Sequence, residues 1–92
     1  MSGSIYFIGG RDGPIKIGFT RQLAQRLRRL QMNSPVRLSV IAAFEGDRSD
    51  ELELHRLFKP QRLHGEWFRR SPELRGHIAW WKARQRRRAQ GA

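Results

Sequence analysis

Five polar residues with chemically versatile side chains fall beside apolar stretches of this sequence: Tyr6, Lys16, Arg26, Glu51 and His55. Groups of these kinds transfer protons, contact anions or hold a metal ion in enzymes. A charged group beside a core costs free energy unless it is paired or solvated, so the set as a whole indicates function. The structural alternative is an ion pair between Glu51 and Arg26, with their long side chains extending to water.

Two short strands must position the first two of these residues. Residues 4–9 are rich in β-branched and aromatic side chains, and residues 15–19 alternate strictly between apolar and other residues, so both segments predict strands. The glycines and proline of residues 10–14 predict a turn between them. The pair is therefore an expected antiparallel hairpin, in which Tyr6 and Lys16 share a face.

A first helix is predicted over residues 21–31, with Thr20 as its cap. Its apolar stripe recurs at i, i+4 and i+7 and consists of Leu23, Leu27 and Leu30. At about 100° per residue, Arg26 falls roughly 65° from the centre of this stripe, whereas Arg28 and Arg29 fall roughly 130° away. Arg26 is therefore the arginine expected at the edge of the core.

The longest strand signal covers residues 36–45, where apolar residues alternate along the whole segment. A second helix follows and runs through Lys59, capped by Ser49 or one of the nearby acids and ended by Pro60. Its expected apolar stripe consists of Leu54, Leu57 and Phe58. Glu51 falls roughly 65° from the centre of that stripe, and His55 lies one turn further along the same flank.

The last third of the chain predicts a loop, an apolar anchor and a third helix. Residues 61–65 form the expected loop, and Trp67 and Phe68 are assigned to the core rather than to stacking on a base. The third helix begins at Ser71-Pro72-Glu73 and buries a stripe made of Leu74, Ile78 and Trp81. We divide the chain into a folded domain over residues 1–81 and a basic C-terminal tail over residues 82–92.

Composition limits the class of partner. The chain carries 19 Lys and Arg against 8 Asp and Glu, a net charge of +11 over 92 residues, and such a field attracts nucleic acid. An arginine-rich genome is the alternative explanation, but it does not account for the shortage of acids. With no cysteine, disulfides and thiolate sites are excluded, which fits a cytoplasmic, intracellular protein. No signal peptide or membrane span is expected.

An ordered series of motifs resembles the GIY-YIG endonuclease family, and most closely its short phage and bacterial branch. The segments that carry the resemblance are Ile5-Tyr6-Phe7-Ile8, Lys16-Ile17-Gly18-Phe19-Thr20, Arg26-Leu27, Leu30-Gln31, Ser34-Pro35, Glu51, Leu54-His55, Phe58, Arg62 and Gly65-Glu66-Trp67-Phe68. They cover residues 4–68. Any one of these short motifs is weak evidence, but the order and spacing of the series are specific.

The resemblance implies an α/β (α+β) domain of order β-β-α-β-α-α, with a three-stranded antiparallel sheet flanked by helices. It implies that Glu51 binds one divalent cation, Mg²⁺ or Mn²⁺. Tyr6 would position or deprotonate the attacking water, helped by a pKa lowered by the metal and by cationic neighbours, and Arg26 would hold the non-bridging phosphate oxygens. Lys16 would place its charge on phosphate. His55 would orient the water or touch a phosphate, or else it packs as a structural histidine.

The function expected from the resemblance is that of a metal-dependent endonuclease or nickase acting on nucleic acid, in the first place DNA, with a homodimer or protein partner supplying specificity. The arginines assigned to nucleic-acid contact are Arg28, Arg29, Arg62, Arg86 and Arg87. Ser4 and Lys16 depart from the family pattern, and no asparagine follows Glu51, so His64 or Glu66 would take that place if cleavage occurs. The alternatives are a non-catalytic nucleic-acid-binding module, or a phage or mobile-element accessory protein that binds a host protein through its Trp80-Trp81 helix.

Overall fold

The computed structural model describes residues 2–91, and the side chains up to residue 88. Five strands form one antiparallel sheet in the order β3-β1-β2-β5-β4, and three helices pack on it. The elements in chain order are β1 (Gly3–Gly9), β2 (Ile15–Thr20), α1 (Leu23–Met32), β3 (Ser39–Gly46), α2 (Arg48–Leu57), a 3₁₀ turn (Lys59–Gln61), β4 (Arg62–His64), β5 (Trp67–Phe68) and α3 (Pro72–Gly91).

The predicted three-stranded sheet and the order β-β-α-β-α-α lack one hairpin that the structure contains, between α2 and α3. The segment expected to be a loop and an anchor forms β4 and β5, and β5 pairs with β2 in antiparallel register. Gly65 makes the tight turn with a φ of 56°, a value that glycine adopts without steric cost. Strands of three and two residues are too short to show alternation, which explains why the sequence pattern did not reveal them.

The predicted β1–β2 hairpin is confirmed. Tyr6 pairs with Gly18 and Ile8 pairs with Lys16. Directly opposed residues of an antiparallel pair share a face, and residues two apart on one strand do so as well. Tyr6 and Lys16 therefore lie on the same face of the sheet, as the sequence predicted.

β3 begins at Ser39 rather than at residue 36, and its alternation is interrupted. A register shift in its pairing with β1 places Ala42 opposite Phe7 but Val40 opposite Ile8. Because Phe7 and Ile8 point to opposite faces, Val40 and Ala42 do so too, although they are two residues apart. The strand predicted over residues 36–45 is therefore confirmed from residue 39 onward, and its alternation is broken by the bulge.

The sheet separates two apolar clusters. One face carries a cluster with α2 and α3, formed by Ile5, Phe7, Ile15, Ile17, Phe19, Ala42, Leu54, Phe58, Phe68, Leu74 and Ile78. The other face carries Tyr6, Ile8 and Leu38, covered by the three leucines predicted for α1. The central strand β1 is consequently buried on both sides from Ile5 onward, and it holds Tyr6 rigidly.

The helix ends differ in detail from the sequence prediction. α1 begins at Leu23, and Thr20 accepts a 3.0 Å hydrogen bond from the backbone N–H of Gln22 just before it. α2 has Asp47 as its cap, because the Asp47 carboxylate accepts hydrogen bonds from two first-turn N–H groups and the Asp50 carboxylate reaches back to the N–H of Asp47. α2 ends at Leu57, and Pro60 lies in the following 3₁₀ turn.

α3 starts where the sequence predicted. The Ser71 hydroxyl accepts a 3.1 Å hydrogen bond from the N–H of Leu74, and Pro72 occupies the first helical position. The helix continues to Gly91 across the predicted boundary between the domain and its basic tail. The expected stripe packs on the core, with Leu74 and Ile78 buried and Trp81 partly buried.

Candidate functional site

α2 turns a carboxylate toward the sheet. Glu51 is only 4% exposed, whereas Leu57, which the sequence assigned to the buried stripe, is 58% exposed. The buried face of α2 is therefore rotated from the predicted one and runs through Glu51, Leu54, His55 and Phe58, at i, i+3, i+4 and i+7. One core-facing position of the helix is therefore an acid. Burying a carboxylate costs free energy, which favours a functional role for Glu51.

His55 is fixed by the neighbouring strand. One of its ring nitrogens, Nε2, lies 2.9 Å from the backbone carbonyl oxygen of Ile17, and its ring meets the edge of Phe68 at a centroid distance of 5.0 Å. A carbonyl oxygen only accepts hydrogen bonds, so this contact assigns the proton to Nε2. The lone pair is then on Nδ1, the usual arrangement for a metal-binding imidazole oriented by a backbone group.

Glu66 completes a cluster with these two residues. Ligand atoms of Glu51, His55 and Glu66 all lie within 4.8 Å of one another, and we call these three residues the carboxylate–histidine cluster. The β4–β5 hairpin places Glu66 there, because its backbone oxygen accepts a 3.0 Å hydrogen bond from the N–H of Ile17. The sequence had offered Glu66 only as a substitute for a missing asparagine, and the signal for it was the acid that follows the Gly65 turn.

The two carboxyl groups of the cluster repel each other. The pKa of Glu51 is raised above its ordinary value, first by burial and then by the negative charge of Glu66, while His55 and Arg48 act in the opposite direction. Two carboxylates this close disfavour a second negative charge, and a bound cation would relieve that repulsion.

The donor set fits a small divalent cation. Ligands at about 2.1 Å from one octahedral ion lie about 3 Å apart when adjacent and about 4.2 Å apart when opposite, so the ligand atoms would have to approach one another by no more than about 2 Å. Two carboxylates and one imidazole leave coordination positions for water and substrate oxygens. Glu51, the predicted metal ligand, is therefore placed with two further candidate ligands.

Tyr6 and Arg26 form a second unit beside this cluster. Arg26 Nη1 donates a 2.9 Å hydrogen bond to the Tyr6 hydroxyl, while Glu51 is paired with Arg48 at 3.5 Å, so the alternative Glu51–Arg26 ion pair does not form. The pKa of Tyr6 is raised, because burial outweighs the hydrogen bond and charge of Arg26. The lowering of this pKa expected from a metal and cationic neighbours stays a prediction, because the raised pKa belongs to the protein without a bound metal.

Gly18 makes room for the Tyr6 phenol. A Cβ atom at position 18 would overlap the Tyr6 hydroxyl and ring, with Cε2 at 2.9 Å. Real Cβ atoms essentially never approach other atoms so closely, and Tyr6 lies on a strand that is buried on both faces. The glycine in the middle of β2 is thus explained by the side chain that lies across it.

Lys16 is tied to the cluster through Glu66. Its Nζ lies 3.2 Å from Glu66 Oε1 and 5.4 Å from the centroid of the Trp67 ring, and its side chain is 15% exposed. Lys16 therefore neutralises part of the acidic charge of the cluster.

The arginines predicted to contact nucleic acid are all exposed, and they are distributed over three elements. Arg28 and Arg29 are on α1, and Arg86 and Arg87 are on the last turns of α3. Arg62 donates through Nε to the Gly65 oxygen at 2.7 Å, so it also stabilises the β4–β5 turn.

The two tryptophans of α3 have different surroundings. Trp81 stacks on Phe44 with ring centroids 3.9 Å apart and donates a 3.0 Å hydrogen bond to His77 Nε2. Trp80 is 49% exposed. This is the pattern that the accessory-protein alternative requires.

The fold and the site define a small, basic α+β domain with a carboxylate–histidine cluster at the junction of α2, β2 and the β4–β5 hairpin. The chain belongs to the T5orf172 domain family, whose model matches residues 3–84. This family is phage-associated and comprises nuclease-like and DNA-binding domains, which is consistent with a role on nucleic acid.

The family assignment corrects the resemblance drawn from the motifs. T5orf172 is a different family from GIY-YIG, so the GIY-YIG assignment is wrong. The segments that carried the resemblance are short, and short motifs recur in families that are not the same. No curated protein and no solved structure matches the chain. Within residues 2–91, no helix combines the length and the apolar character needed to cross a membrane.

Proposed function

We propose that the protein is a divalent-metal-dependent nuclease that hydrolyses phosphodiester bonds in DNA. The observation that supports this most directly is the carboxylate–histidine cluster, in which a buried acid lies beside a second acid in a chain of net charge +11. A surface that only binds phosphate gains nothing from two acids, because they repel the ligand. A cation held between them turns this repulsion into attraction for a phosphate oxygen.

Glu51, His55 and Glu66 would hold Mg²⁺ or Mn²⁺. Such an ion, when bound, acts as a Lewis acid that stabilises negative charge on phosphate oxygens. Glu51 would be the principal ligand, because its carboxylate is buried and its distance from Arg48 is long.

Arg26 and Tyr6 would orient the substrate. A guanidinium matches the geometry of non-bridging phosphate oxygens, and the hydrogen bond to Tyr6 restricts the positions that the Arg26 side chain takes. In the protein without metal, burial raises the pKa of Tyr6, and a neutral phenol would position the attacking water by hydrogen bonding. Lys16 would exchange Glu66 for a phosphate oxygen once a metal neutralises that acid.

Cleavage of supercoiled plasmid and of a labelled single strand tests the proposal. Wild type would be assayed with Mg²⁺, with Mn²⁺ and with EDTA, beside Glu51→Gln and the matched control Glu53→Gln. Glu53 lies on the same helix with its side chain 71% exposed, and it pairs only with Arg56 among the described residues. We expect metal-dependent cleavage by wild type and Glu53→Gln and none by Glu51→Gln. Binding without cleavage in either metal would instead establish the non-catalytic nucleic-acid-binding module.

The exposed Trp80 favours the accessory-protein alternative as a second candidate. Trp80 lies on α3 and is not part of the carboxylate–histidine cluster, so a protein partner or a second copy of the chain bound there would add specificity. Loss of a partner on Trp80→Ala, with cleavage of plasmid retained, would show that both functions are present.

A further inference from the structure

An open cleft lies on the α1 side of the sheet, next to the carboxylate–histidine cluster. It measures about 260 Å³, and its walls come from the β1–β2 turn, the segment between α1 and β3, and the β4–β5 hairpin. The lining residues that matter here are Asp12, Pro14, Val36, Leu38, His64 and Trp67. Drug-sized ligands occupy roughly 300–1,000 Å³, so this cleft suits a smaller group.

Trp67 gives the cleft an aromatic wall. The sequence assigned both aromatics of this segment to the core, and the structure places only Phe68 there, whereas Trp67 is partly exposed and lines the cleft. Its backbone is fixed by pairing with Lys16 on β2, whose Nζ lies 5.4 Å from the ring centroid. A rigid indole at the border of an apolar cleft is a typical platform for stacking a nucleobase.

Cations surround the same cleft. It continues along Val36 and Leu38 into a groove bordered by Arg28 and Arg37, and along Gly10 and Asp12 into one bordered by Arg11 and Arg37. All three arginines are exposed, and their side chains form no ion pair or hydrogen bond with any part of residues 2–91. The apolar cleft thus lies between guanidinium groups that are available to phosphates on either side of a base.

Asp12 and His64 provide polar groups at the border of the cleft. A carboxylate accepts hydrogen bonds from the exocyclic amino group of a base such as cytosine, and thymine has no such group. In a duplex, base faces are stacked and unavailable to an aromatic side chain, so the occupant must be unpaired.

From this chemistry we propose that the cleft binds one unpaired, amino-bearing nucleobase of a DNA strand whose phosphates contact Arg11, Arg28 and Arg37. The inference rests on the proposed action on nucleic acid and adds a base-reading site to it. Glu66 and Trp67 are adjacent in the chain, and Lys16 contacts both, so a strand seated in the cleft would bring a neighbouring phosphate toward the carboxylate–histidine cluster.

Fluorescence anisotropy in EDTA tests the proposal without cleavage. The probes are labelled oligo-dC, oligo-dT and a mixed-sequence duplex, measured with wild type, Trp67→Ala, Trp67→Phe, Asp12→Asn and the control Trp80→Ala. Loss of one stacked base weakens binding by roughly 5- to 150-fold. We expect that loss for oligo-dC with Trp67→Ala, recovery with Trp67→Phe, and no change for the duplex or with Trp80→Ala. Asp12→Asn should reduce the preference for oligo-dC over oligo-dT.

Other outcomes separate this inference from the proposed function. Unchanged oligo-dC binding by Trp67→Ala, while wild type binds DNA and nicks plasmid, would overturn the base-binding cleft alone. Equal loss for oligo-dC and duplex would also overturn it, because the tryptophan would then act through the fold. If wild type binds none of the three probes, the action on nucleic acid itself is refuted.

Discussion

Arg26 donates a 2.9 Å hydrogen bond to the Tyr6 hydroxyl and thereby links α1 to the central strand beside the carboxylate–histidine cluster. The contact joins the partly exposed Arg26 to Tyr6, which has no exposed surface. Orientation of the guanidinium is therefore part of the fold rather than something the substrate must impose.

The first prediction concerns the geometry of that guanidinium. Arg26→Lys keeps the charge but loses the planar set of donors, so we expect plasmid cleavage to fall by about 10²-fold or more, as for the loss of one transition-state donor. Arg56→Lys, at an exposed arginine of α2 that pairs with Glu53, is the matched control and should cleave as wild type. Equal activity of the two variants in a single-turnover assay would show that Arg26 contributes only charge.

Gly18→Ala tests whether the space above β2 matters. The new Cβ would overlap the Tyr6 phenol. Tyr6 lies on the buried strand β1, so its backbone and ring have no space into which to move. We expect a loss of stability of about 1–3 kcal/mol in urea unfolding, typical of an overpacked core, together with reduced cleavage. Gly76→Ala is the control, because a Cβ there meets no atom within 4 Å and alanine favours a helix. A Gly18→Ala variant as stable as wild type would contradict the close approach.

Part of this site could be predicted from the sequence because it depends on periodicity. Tyr6 and Lys16 share a face because side chains alternate along each strand of a hairpin. Arg26 lies at the edge of the core because of its helical spacing from the leucines of α1. Both inferences use only residues within one element or two sequential elements. Such local geometry is what a sequence pattern encodes most directly.

The remainder depends on contacts between distant segments. Glu66 joins Glu51 only because β5 adds to the edge of β2, and strands so short have no periodic signal. The opposite faces of Val40 and Ala42 depend on a bulge in β3, which cannot be read from alternation. α2 buries Glu51 and exposes Leu57. A prediction from hydrophobicity alone places these two residues the other way round, with Leu57 buried.

The buried acid should cost stability in the absence of metal. The pKa of Glu51 is raised, so its contribution to stability is present below the unfolded pKa and is lost as pH rises through the folded pKa. At pH 7 the charge is therefore unfavourable, and we expect Glu51→Gln to melt at a higher temperature than wild type in EDTA. Each kcal/mol relieved raises the Tm of a domain of this size by roughly 4–8 °C.

In a second melting series with added metal, we expect wild type to melt at a higher temperature than Glu51→Gln. Binding to the native state alone stabilises wild type in proportion to the logarithm of the metal concentration, and Glu51→Gln should show little gain. The imidazole of His55 favours Mn²⁺ over Mg²⁺, so the larger shift is expected with Mn²⁺. Equal shifts in wild type, Glu51→Gln and Glu53→Gln would mean that the ions act elsewhere on the protein.

His77 should make the packing of α3 sensitive to mild acid. Its Nε2 accepts the 3.0 Å hydrogen bond from Trp81, and burial lowers its pKa, so the folded protein holds the ring neutral. With a lowered folded pKa, the unfolded chain binds the proton first, and stability falls as pH drops below about 6.5 toward the folded pKa. One such group contributes a slope of at most about 1.4 kcal/mol per pH unit. His77→Gln keeps an acceptor but cannot titrate, so urea unfolding at pH 7.5, 6.5 and 5.5 should show a smaller loss for the variant than for wild type. Parallel curves for the two proteins would contradict a neutral His77, whatever the acids elsewhere contribute to both.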